Sequence, residues 1–556
     1  MRLLMAVTVA ILAVVVLYPI GQVILESVNV DGRFDLRLYG DLLRDGDNYT
    51  VLWNSLFVSI SATIGATILG TFFAWIMART DLPFKRIIHI FLMLPFVIPP
   101  FIGAIAWIQL LGPAGYLNKL YMSVMNTAEP LVSIYGPGGI IFVMILHSFP
   151  MAYICTVGPF ERMSSVLEEA AYMSGAGKWR TMRNITLPIM MPQILAGALL
   201  VFVTEISNFG VPAILGFSSS YFVVTTKIYD LLQSFHLMNN LSMASALSVL
   251  LAVIVGFGMF MQYLFLRRKN FTLLSGKSDS LQMHNLGKWK GFWVGLIALF
   301  ILAGSIAPVI AITLTALTKA YGLPPVSSNL SLKNFQYILF DYPLVRRAMK
   351  NSFLLAFGSA TIAVMLGTVI SYILVKTKMK GRQLLDFIAA MPYALPGTVI
   401  GLGMILAWAR PLPFLNGSLY NTLWILLVAY VARYITFAVR PTHAALLQVD
   451  DSLEEAVRMS GGSAWRGFRD IVIPLLRPSM VAGWLLIFLP VLRELTISIL
   501  LWSAGNETIG VAVFNLEQEG DMTSASALAM VMIVFVVIGQ WFTYKLERGS
   551  TTGKEG

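Results

Sequence analysis

The 556-residue chain has few charged residues, and this scarcity indicates its class. Charged side chains make up 12% of the sequence, against about 25% in a typical soluble domain, while 57% of the residues are hydrophobic. This composition excludes an ordinary soluble protein and predicts a membrane protein. The net charge of +11 could indicate nucleic-acid binding, but the positions of the basic residues, described below, argue against a nucleic-acid partner.

Cysteine is almost absent, because Cys155 in an apolar segment is the only one. An intramolecular disulfide and a cysteine-based metal site are therefore excluded. The five histidines show no metal-ligand spacing, so no metal site is predicted. His147, in another apolar segment, is interpreted as a packed and hydrogen-bonded residue. No Ser/His/Asp set and no carboxylate pair indicates an active site, so the chain is not expected to be an enzyme.

A nucleotide-binding P-loop is also missing. The motif requires G-x-x-x-x-G-K-[ST]. Gly276-Lys277-Ser278 has the correct ending, but Phe271 stands where the first glycine should be. No cofactor is therefore expected on this chain, and any ATP and magnesium that drive it would be bound by a partner subunit.

Long apolar runs are abundant. A transmembrane helix needs about 20 apolar residues, and irregular backbone cannot face lipid, so twelve such runs predict twelve helices. They lie near residues 3–25, 53–77, 87–110, 138–159, 193–216, 241–266, 292–318, 351–375, 384–408, 420–439, 480–501 and 524–544.

Lysine and arginine set the orientation of these spans. With the N-terminus in the cytoplasm, 26 of them fall on the cytoplasmic side and 11 on the outer side. A multi-pass protein of the bacterial cytoplasmic membrane, with both termini in the cytoplasm, is predicted. This orientation explains the net positive charge without nucleic acid.

Two loops between apolar segments are near copies of each other. Residues 167–192 read LEEAAYMSGAGKWRTMRNITLPIMMP, and residues 453–478 read LEEAVRMSGGSAWRGFRDIVIPLLRP. Asn54-Ser55 recurs as Asn351-Ser352, so the repeat extends into the spans. Each half has six spans, an even number. The predicted fold is therefore an all-α polytopic membrane protein with twelve transmembrane helices in two parallel six-helix repeats.

Each repeated loop is predicted to form a helix–turn–helix knob on the cytoplasmic face. Leu167–Ser174 contains good helix formers with acidic residues early, and Gly175 can take the left-handed conformation at which the chain turns. Lys178–Asn184 can form a second short helix. Pro188 then marks the start of the next membrane span.

Glu169-Ala170-Ala171 and Gly175, followed by Ile185-Thr186-Leu187-Pro188, resemble the EAA loop of binding-protein-dependent ABC transporter permeases, the type I importer fold. The second copy keeps this spacing and departs from the pattern at Val457 and Ile473. In that family the loop docks in a cleft of the ATPase subunit and carries its motion into the membrane. The residues that the resemblance assigns to this coupling are Glu168, Glu169, Ala170, Gly175, Arg180, Arg183, Pro188, Glu454, Glu455, Ala456, Gly461, Arg466, Arg469 and Pro474.

The whole chain resembles the fused twelve-span permeases of the ferric-iron type, and residues 492–496 and 507–508 are also similar to that subfamily. The implied function is the permease subunit of an ATP-driven importer whose solute is delivered by a periplasmic or extracellular binding protein. Ferric iron is the first choice of substrate, and polyamines, phosphonates, sugar phosphates and thiamine are alternatives. The implied partners are two copies of an ABC ATPase subunit, a solute-binding protein and the lipid bilayer.

The resemblance also divides the chain into segments. These are a first transmembrane helix with a periplasmic segment (1–52), a first permease domain (53–266) with its EAA loop (167–192), a cytoplasmic linker (267–290), a seventh transmembrane helix with a periplasmic segment (291–350), a second permease domain (351–544) with its EAA loop (453–478), and a cytoplasmic tail (545–556).

Ionisable residues and prolines within spans are candidates for the translocation path. Intramembrane charges are functional hypotheses by default, and broken helices can line a path with free carbonyls. The alternatives are pairing between spans and kinks that serve helix packing. The candidates are Pro95, Pro99, Glu205, Pro392, Pro396, Arg493 and Glu494.

A secondary transporter or channel that works without ATP is the alternative of a different class. It predicts coupling carboxylates buried in several spans, and this chain has few. Co-elution with an ATPase subunit would separate the two hypotheses.

Overall fold

The computed structural model describes residues 2–30, 32–164, 166–234, 240–268, 283–410 and 417–552. These residues are mainly helical, with one short antiparallel pair of strands, β1 (Asn29–Val30) and β2 (Arg33–Phe34). Most of the predicted linker 267–290, at residues 269–282, and the end of the predicted tail, at residues 553–556, lie outside the described residues.

The helices of the first half follow the chain without further strands in the described part. They are α1 (Leu3–Glu26), α2 (Arg37–Arg44), α3 (Gly46–Arg79), α4 (Lys85–Val97), α5 (Pro100–Leu111), α6 (Tyr116–Met125), α7 (Pro137–Arg162), α8 (Val166–Met173), α9 (Lys178–Ile206), α10 (Gly210–Ser219), α11 (Val224–Gln233) and α12 (Asn240–Arg268).

The second half repeats much of this order. Its helices are α13 (Gly287–Leu317), α14 (Lys333–Gln336, continued by a π turn at Tyr337–Asp341), α15 (Pro343–Lys376), α16 (Arg382–Ala394), α17 (Gly397–Trp408), α18 (Leu423–Leu446), α19 (Ser452–Met459), α20 (Trp465–Leu492), α21 (Ser498–Leu501), α22 (Ile509–Gln518) and α23 (Met522–Thr552).

Eleven helical segments of the described chain are long and apolar enough to cross a membrane. Two bent helix pairs meet the same test jointly: α10 with α11, bent by 71°, and α16 with α17, bent by 110°. The predicted all-α membrane fold is confirmed, and the predicted number of twelve spans lies within the range of eleven to thirteen.

The predicted bounds of the fifth and eleventh spans, 193–216 and 480–501, are wrong at both ends. Helix α9 begins at Lys178 and ends at Ile206, and α20 begins at Trp465 and ends at Leu492. The second short helix predicted for each repeated loop is therefore the start of the span. Both helices stay continuous through Pro188 and Pro474 because each has a π turn just before its proline, at Met182–Thr186 and Phe468–Val472. The wider turn accommodates a residue that cannot complete the normal helical hydrogen bond.

The third predicted span of each half is two helices. In the first half α4 ends at Val97 and α5 begins at Pro100, with extended backbone at Ile98. In the second half the break falls at Leu395 and Pro396. The breaks lie at Pro99 and Pro396, two of the prolines for which they were predicted, because a residue before proline is pushed out of the helical conformation. Pro95 and Pro392, predicted to break the same spans, lie inside α4 and α16.

Helix α3 crosses α7, and α15 crosses α18, at a glycine that recurs in both halves. A Cβ added to Gly70 would lie 2.5 Å from the carbonyl oxygen of Phe149, and one added to Gly367 would lie 2.6 Å from the Cβ of Ala438. Small residues let membrane helices approach closely enough to pack without a hydrophobic driving force. The repeated Leu-Gly-Thr sequences at 69–71 and 366–368 thus mark a helix crossing.

The helices group into two compact units whose membership does not follow chain order. One unit contains residues 1–42, 228–252 and 332–556, and the other contains residues 43–227 and 253–331. Helix α1 packs in the unit of the second half, where Gly403 of α17 lies so close to Pro19 that an added Cβ would be 2.9 Å from its carbonyl oxygen. Helix α13 packs in the other unit, where the rings of Phe300 and Phe73 are 4.8 Å apart.

Candidate functional site

The repeated loops form the same structure in both halves. Helix α8 ends in a turn at Gly175, whose φ is +81°, and α19 ends in a turn at Gly461, whose φ is +78°. In each copy an amide N–H beyond the glycine donates to a carbonyl five residues earlier, Ala176 to Ala171 (2.9 Å) and Gly462 to Val457 (2.8 Å). This is the hydrogen bond of a Schellman helix end. The left-handed glycines predicted from the sequence are therefore present in both loops.

A buried glutamate anchors the first loop. Glu168 of α8 is 3% exposed and forms an ion pair with Arg79 at the end of α3. Its other carboxylate oxygen accepts a hydrogen bond of 2.6 Å from the Thr186 hydroxyl. Arg79 also donates to the carbonyl of Met163, at 3.1 Å, just before α8. The Glu168 carboxylate thus ties α8 to α3 and to α9, and it is directed into its own unit.

The second loop is anchored by different chemistry at equivalent positions. Glu454, 8% exposed, accepts a hydrogen bond of 2.9 Å from the Tyr372 hydroxyl. Lys376 occupies the place of Arg79 and donates to the carbonyl of Val449, at 2.6 Å. Its ammonium group pairs with Asp451, at 2.5 Å. A basic residue at the end of a span therefore holds the chain before the loop in both halves.

The outer face of each loop is exposed and partly apolar. Met173 is 90% and Trp179 75% exposed, and their counterparts Met459 and Trp465 are 89% and 66% exposed. The two methionines were not among the predicted coupling residues. The presence of methionine at the same position of both loops would have been a signal for them. The remaining predicted residues are on this surface: Ala170, Gly175, Arg180, Arg183, Pro188, Glu455, Ala456, Gly461, Arg466, Arg469 and Pro474 are exposed, and Glu169 is half-buried. Exposed apolar groups rimmed by charge are typical of a protein-docking surface.

The described end of the predicted linker, from residue 283, is bound to the end of α3. The amide N–H of His284 donates to the carbonyl of Arg79 (2.7 Å), and that of Leu286 donates to Asp81 (2.9 Å). Lys290 pairs with the same carboxylate at 2.7 Å. The hydrogen bonds from Lys290 and Leu286 lower the pKa of Asp81, and burial lowers the pKa of His284. This segment is thus fixed beside the anchor of the first loop.

Both broken spans are braced by a basic side chain from a neighbouring helix. The His147 ring nitrogen lies 3.0 Å from the carbonyl oxygen of Pro95. Arg433, at the equivalent position of the second half, donates to the carbonyl of Pro392 at 2.6 Å and also to that of Leu395. His147 is hydrogen-bonded as predicted. Arg433, which no sequence argument selected, binds the carbonyl of Leu395 at the break and shares the carbonyl of Pro392 with the amide N–H of Leu395.

The two carboxylates proposed for the translocation path are enclosed in hydrogen bonds within their own units. Glu205 is 1% exposed and accepts hydrogen bonds from the Ser148 hydroxyl and from the Asn208 amide, the latter at 3.1 Å. Glu494 caps α21, accepting from the amide N–H groups of Ile497 (2.7 Å) and Ser498 (3.0 Å). Arg493 is half-buried at the end of α20.

The repeated Asn-Ser pairs bind the connection between the two short helices that follow α9 and α20, which are α10 and α11 in the first half and α21 and α22 in the second. Asn54 donates to the carbonyl of Phe222 (3.0 Å), and the Ser55 hydroxyl accepts from the amide of Val224 (2.7 Å). In the other half Asn351 donates to the carbonyl of Glu507 (3.0 Å), and the Ser352 hydroxyl accepts from the amide of Ile509 (2.8 Å). The sequence showed that the Asn-Ser pair is repeated, but only the structure shows which backbone groups the two side chains bind.

Comparison with known proteins identifies this architecture. Residues 66–271 and 361–551 match the model of the binding-protein-dependent transport system inner membrane component family. The chain belongs to this permease family. Its two matched stretches each include one of the repeated loops. The chain is accordingly a multi-pass inner membrane permease component with two permease domains, and it is not the catalytic subunit of its transporter.

Several curated relatives of this permease cover most of its length. It is 27% identical to the ferric transport system permease protein FbpB of Actinobacillus pleuropneumoniae over 89% of this chain and 71% of the relative. It is 25% identical to the Fe(3+)-transport system permease protein FbpB 2 of Haemophilus influenzae over 87% of each chain. The spermidine/putrescine transport system permease protein PotB of Salmonella typhimurium is 30% identical over 33% of this chain and 63% of the relative.

Among solved structures, this permease aligns with the crystal structure of a bacterial ABC transporter involved in the import of the acidic polysaccharide alginate. The alignment has a TM-score of 0.37 and 15% identity, and it covers 47% of this chain and 97% of that chain.

Proposed function

We propose that this permease imports ferric iron, and that its two loops each dock one copy of an ABC ATPase subunit on the cytoplasmic face. Closure of the ATPase pair on ATP would draw the loops together and open the permease outward, and release of ADP would reverse the motion. A separate solute-binding protein would deliver the cargo. Both termini would lie in the cytoplasm.

The single observation that carries the coupling role is the pair of matched loops. Each presents an exposed methionine and tryptophan, while an inward glutamate fastens the helix that carries the methionine to a neighbouring span. A helix held at its base can transmit force from a docked partner, because buried polar anchors resist displacement. A solvated surface hairpin would not need such anchors in both halves.

Ferric iron is supported by the names of relatives that cover most of the chain. A polyamine is the second candidate, because a spermidine/putrescine permease is similar over part of it. An ATP-independent mechanism is one outcome of the test below. Phosphonates, sugar phosphates and thiamine are the next solutes to assay if neither iron nor spermidine is taken up. Iron here is the transported substrate and not a resident cofactor.

The test is to reconstitute the permease in proteoliposomes with its ATPase subunit and solute-binding protein, and to follow uptake of radioactive ferric iron and spermidine. We expect uptake of iron that requires ATP. Uptake of spermidine alone would replace the cargo assignment. Uptake of either solute without the ATPase subunit would overturn the coupled mechanism.

The docking surface is tested by Met173→Glu combined with Met459→Glu. A charge in a buried apolar contact should weaken ATPase binding by about 30-fold, since a central contact residue contributes about 2 kcal/mol or more. Met125→Glu, a matched control on α6 that is 62% exposed, should leave ATPase binding unchanged. ATPase binding that the double variant does not weaken would contradict the docking assignment.

A further inference from the structure

An aromatic groove lies between α20 and α23, over α15, in the unit that contains the second half. Its volume is 370 Å³, and all its lining residues are apolar. They include Phe353 of α15, Trp484 and Phe488 of α20, and Phe535 and Phe542 of α23. A concave apolar surface of this size on membrane-spanning helices is suited to a hydrocarbon chain.

The walls of the groove are rigid. Trp484 and Phe488 stack at 4.7 Å, and the rings of Phe353 and Phe535 meet edge to face at 4.9 Å. The indole N–H of Trp484 donates to the Thr361 hydroxyl, at 3.1 Å, which fixes the ring. An acyl chain that packs there would therefore meet a preformed surface, which lowers the entropic cost of binding.

One end of the groove carries positive charge. Arg477 lies one helical turn before the lining residue Val481, and Lys545 lies three residues after the lining residue Phe542, so each shares a helix face with the groove. Both basic side chains are exposed, and the Lys545 ammonium lies 4.5 Å from the ring of Trp541. This is the end of α20 that emerges from the second repeated loop, where Lys and Arg side chains can extend to lipid head groups.

The first half lacks two residues that shape this groove in the second half. At the same spacing in the first half, Arg477 is replaced by Met191 and Trp484 by Ala198. The flanking residues of the repeat are kept, because Gly197 of the first half recurs as Gly483. Phe202 keeps the place of Phe488, so the indole of the wall and Arg477 are the features of α20 that belong to the second half alone.

We propose that this groove binds an anionic phospholipid of the leaflet on the loop side of the membrane. One acyl chain lies against the aromatic rings, and the phosphate group lies near Arg477 and Lys545. Each basic residue near the surface favours an anionic lipid by a factor of about five. The site therefore selects phosphatidylglycerol over a zwitterionic lipid of the same chain length.

The charge selection is tested on the full chain in detergent by titration with phosphatidylglycerol or phosphatidylcholine, with the shift in unfolding temperature and lipid retained after washing as readouts. We expect Arg477→Gln combined with Lys545→Gln to weaken phosphatidylglycerol binding about 30-fold, because two basic residues are lost. Lys378→Gln combined with Lys380→Gln removes the same charge from the exposed connection between α15 and α16 and should bind as the wild type does. Equal binding of the two lipids by the wild type would overturn the proposal.

Occupation of the groove is tested separately with phospholipids brominated on the acyl chain, which quench nearby tryptophan. The quenching difference between the wild type and Trp484→Phe reports this residue, and this variant keeps an aromatic ring in the wall. We expect brominated phosphatidylglycerol to quench Trp484 at a lower mole fraction than brominated phosphatidylcholine. Quenching of Trp484 at equal mole fractions of the two lipids would show ordinary boundary lipid and would refute a specific site.

Discussion

At the residue scale, the two loops are anchored to their spans by different sets of side chains. Glu168 meets the guanidinium of Arg79, whereas its counterpart Glu454 meets the hydroxyl of Tyr372. In the second half the basic residue, Lys376, pairs with Asp451 instead. The equivalent positions have thus kept the inward direction of the glutamate while its partner has changed.

The ion pair of the first loop is predicted to be important for stability. In Glu168→Gln the Arg79 charge stays buried without a counter-ion, which costs about 3–5 kcal/mol. We expect a clear fall in the unfolding temperature of the purified permease. Arg79→Lys should cost less, because a lysine occupies this place in the second half. An unfolding temperature equal to that of the wild type in Glu168→Gln would show that the pair contributes no net stability.

Arg433 is a structural residue whose role the sequence did not reveal. It was visible as a charge inside a span, but its acceptors, the carbonyls of Pro392 and Leu395, lie at the break that ends α16. Arg433→Met should leave the carbonyl of Leu395 without its donor, at a cost of about 1–3 kcal/mol. A thermal unfolding series should show this loss, while Arg410→Met, an exposed control, should unfold as the wild type does. Equal unfolding of the two variants would contradict the bracing role.

At the element scale, the turn of each loop depends on a left-handed glycine. Gly175 and Gly461 both have positive φ, and no atom lies within 4 Å of a Cβ added at either position. Any cost of substitution there is therefore a backbone cost rather than a steric clash with neighbours. A residue with a side chain pays roughly 1 kcal/mol or more in this conformation.

Gly175→Ala should therefore disturb the loop, and Gly175→Pro more so, because the proline ring locks φ near −65°. We expect normal membrane insertion for Gly175→Pro combined with Gly461→Pro, with loss of transport and of stimulated ATPase activity. Gly177→Ala is the matched control two residues away, since Gly177 has an ordinary φ of −71° and open space around it. Retained transport in the double proline variant would refute the coupling assignment.

At the element scale, the predictions were most accurate for features that depend on only a few neighbouring residues. The α8 helix, its glycine turn and the breaks before Pro99 and Pro396 follow from propensity, from positive φ and from the restriction before proline. The ends of α9 and α20 did not follow. A π turn before Pro188 lets the helix begin in the polar loop and continue into the span. Hydropathy contains no signal for such a turn, so it placed the start of the helix too late.

At the scale of the whole molecule, each half contributes its first helix to the other half's unit. Helix α1 belongs with residues 332–556, and α13 belongs with residues 43–227. The internal repeat shows that the halves are related. It does not show which helices of one half pack in the unit of the other half. The predicted segments that begin each half, 1–52 and 291–350, describe chain order and leave this exchange open.

The contact of α1 with α17 can be checked by disulfide formation in a Cys155→Ala background, where no other cysteine remains. A Cβ at Gly403 would lie 3.2 Å from a methyl carbon of Val23 and 2.9 Å from the carbonyl oxygen of Pro19, so Val23→Cys with Gly403→Cys should cross-link on mild oxidation after a small shift of α1. Val23→Cys with Gly401→Cys is the control, because Gly401 faces Leu500 instead. Equal cross-linking of both pairs, or failure of the first pair in a variant that unfolds at the same temperature as its parent, would contradict the packing of α1.

The sequence by itself determined the membrane environment, the two matched halves, the loops and their glycine turns, because hydropathy, charge bias and turn chemistry act locally along the chain. Only the tertiary structure decided what the buried polar groups do. The sequence assigned Glu168 to the coupling loop and Glu205 and Glu494 to the translocation path, and the structure shows that each accepts hydrogen bonds from neighbouring side chains or amides. A side chain's partner depends on which helices meet, and that is settled by packing across distant parts of the chain.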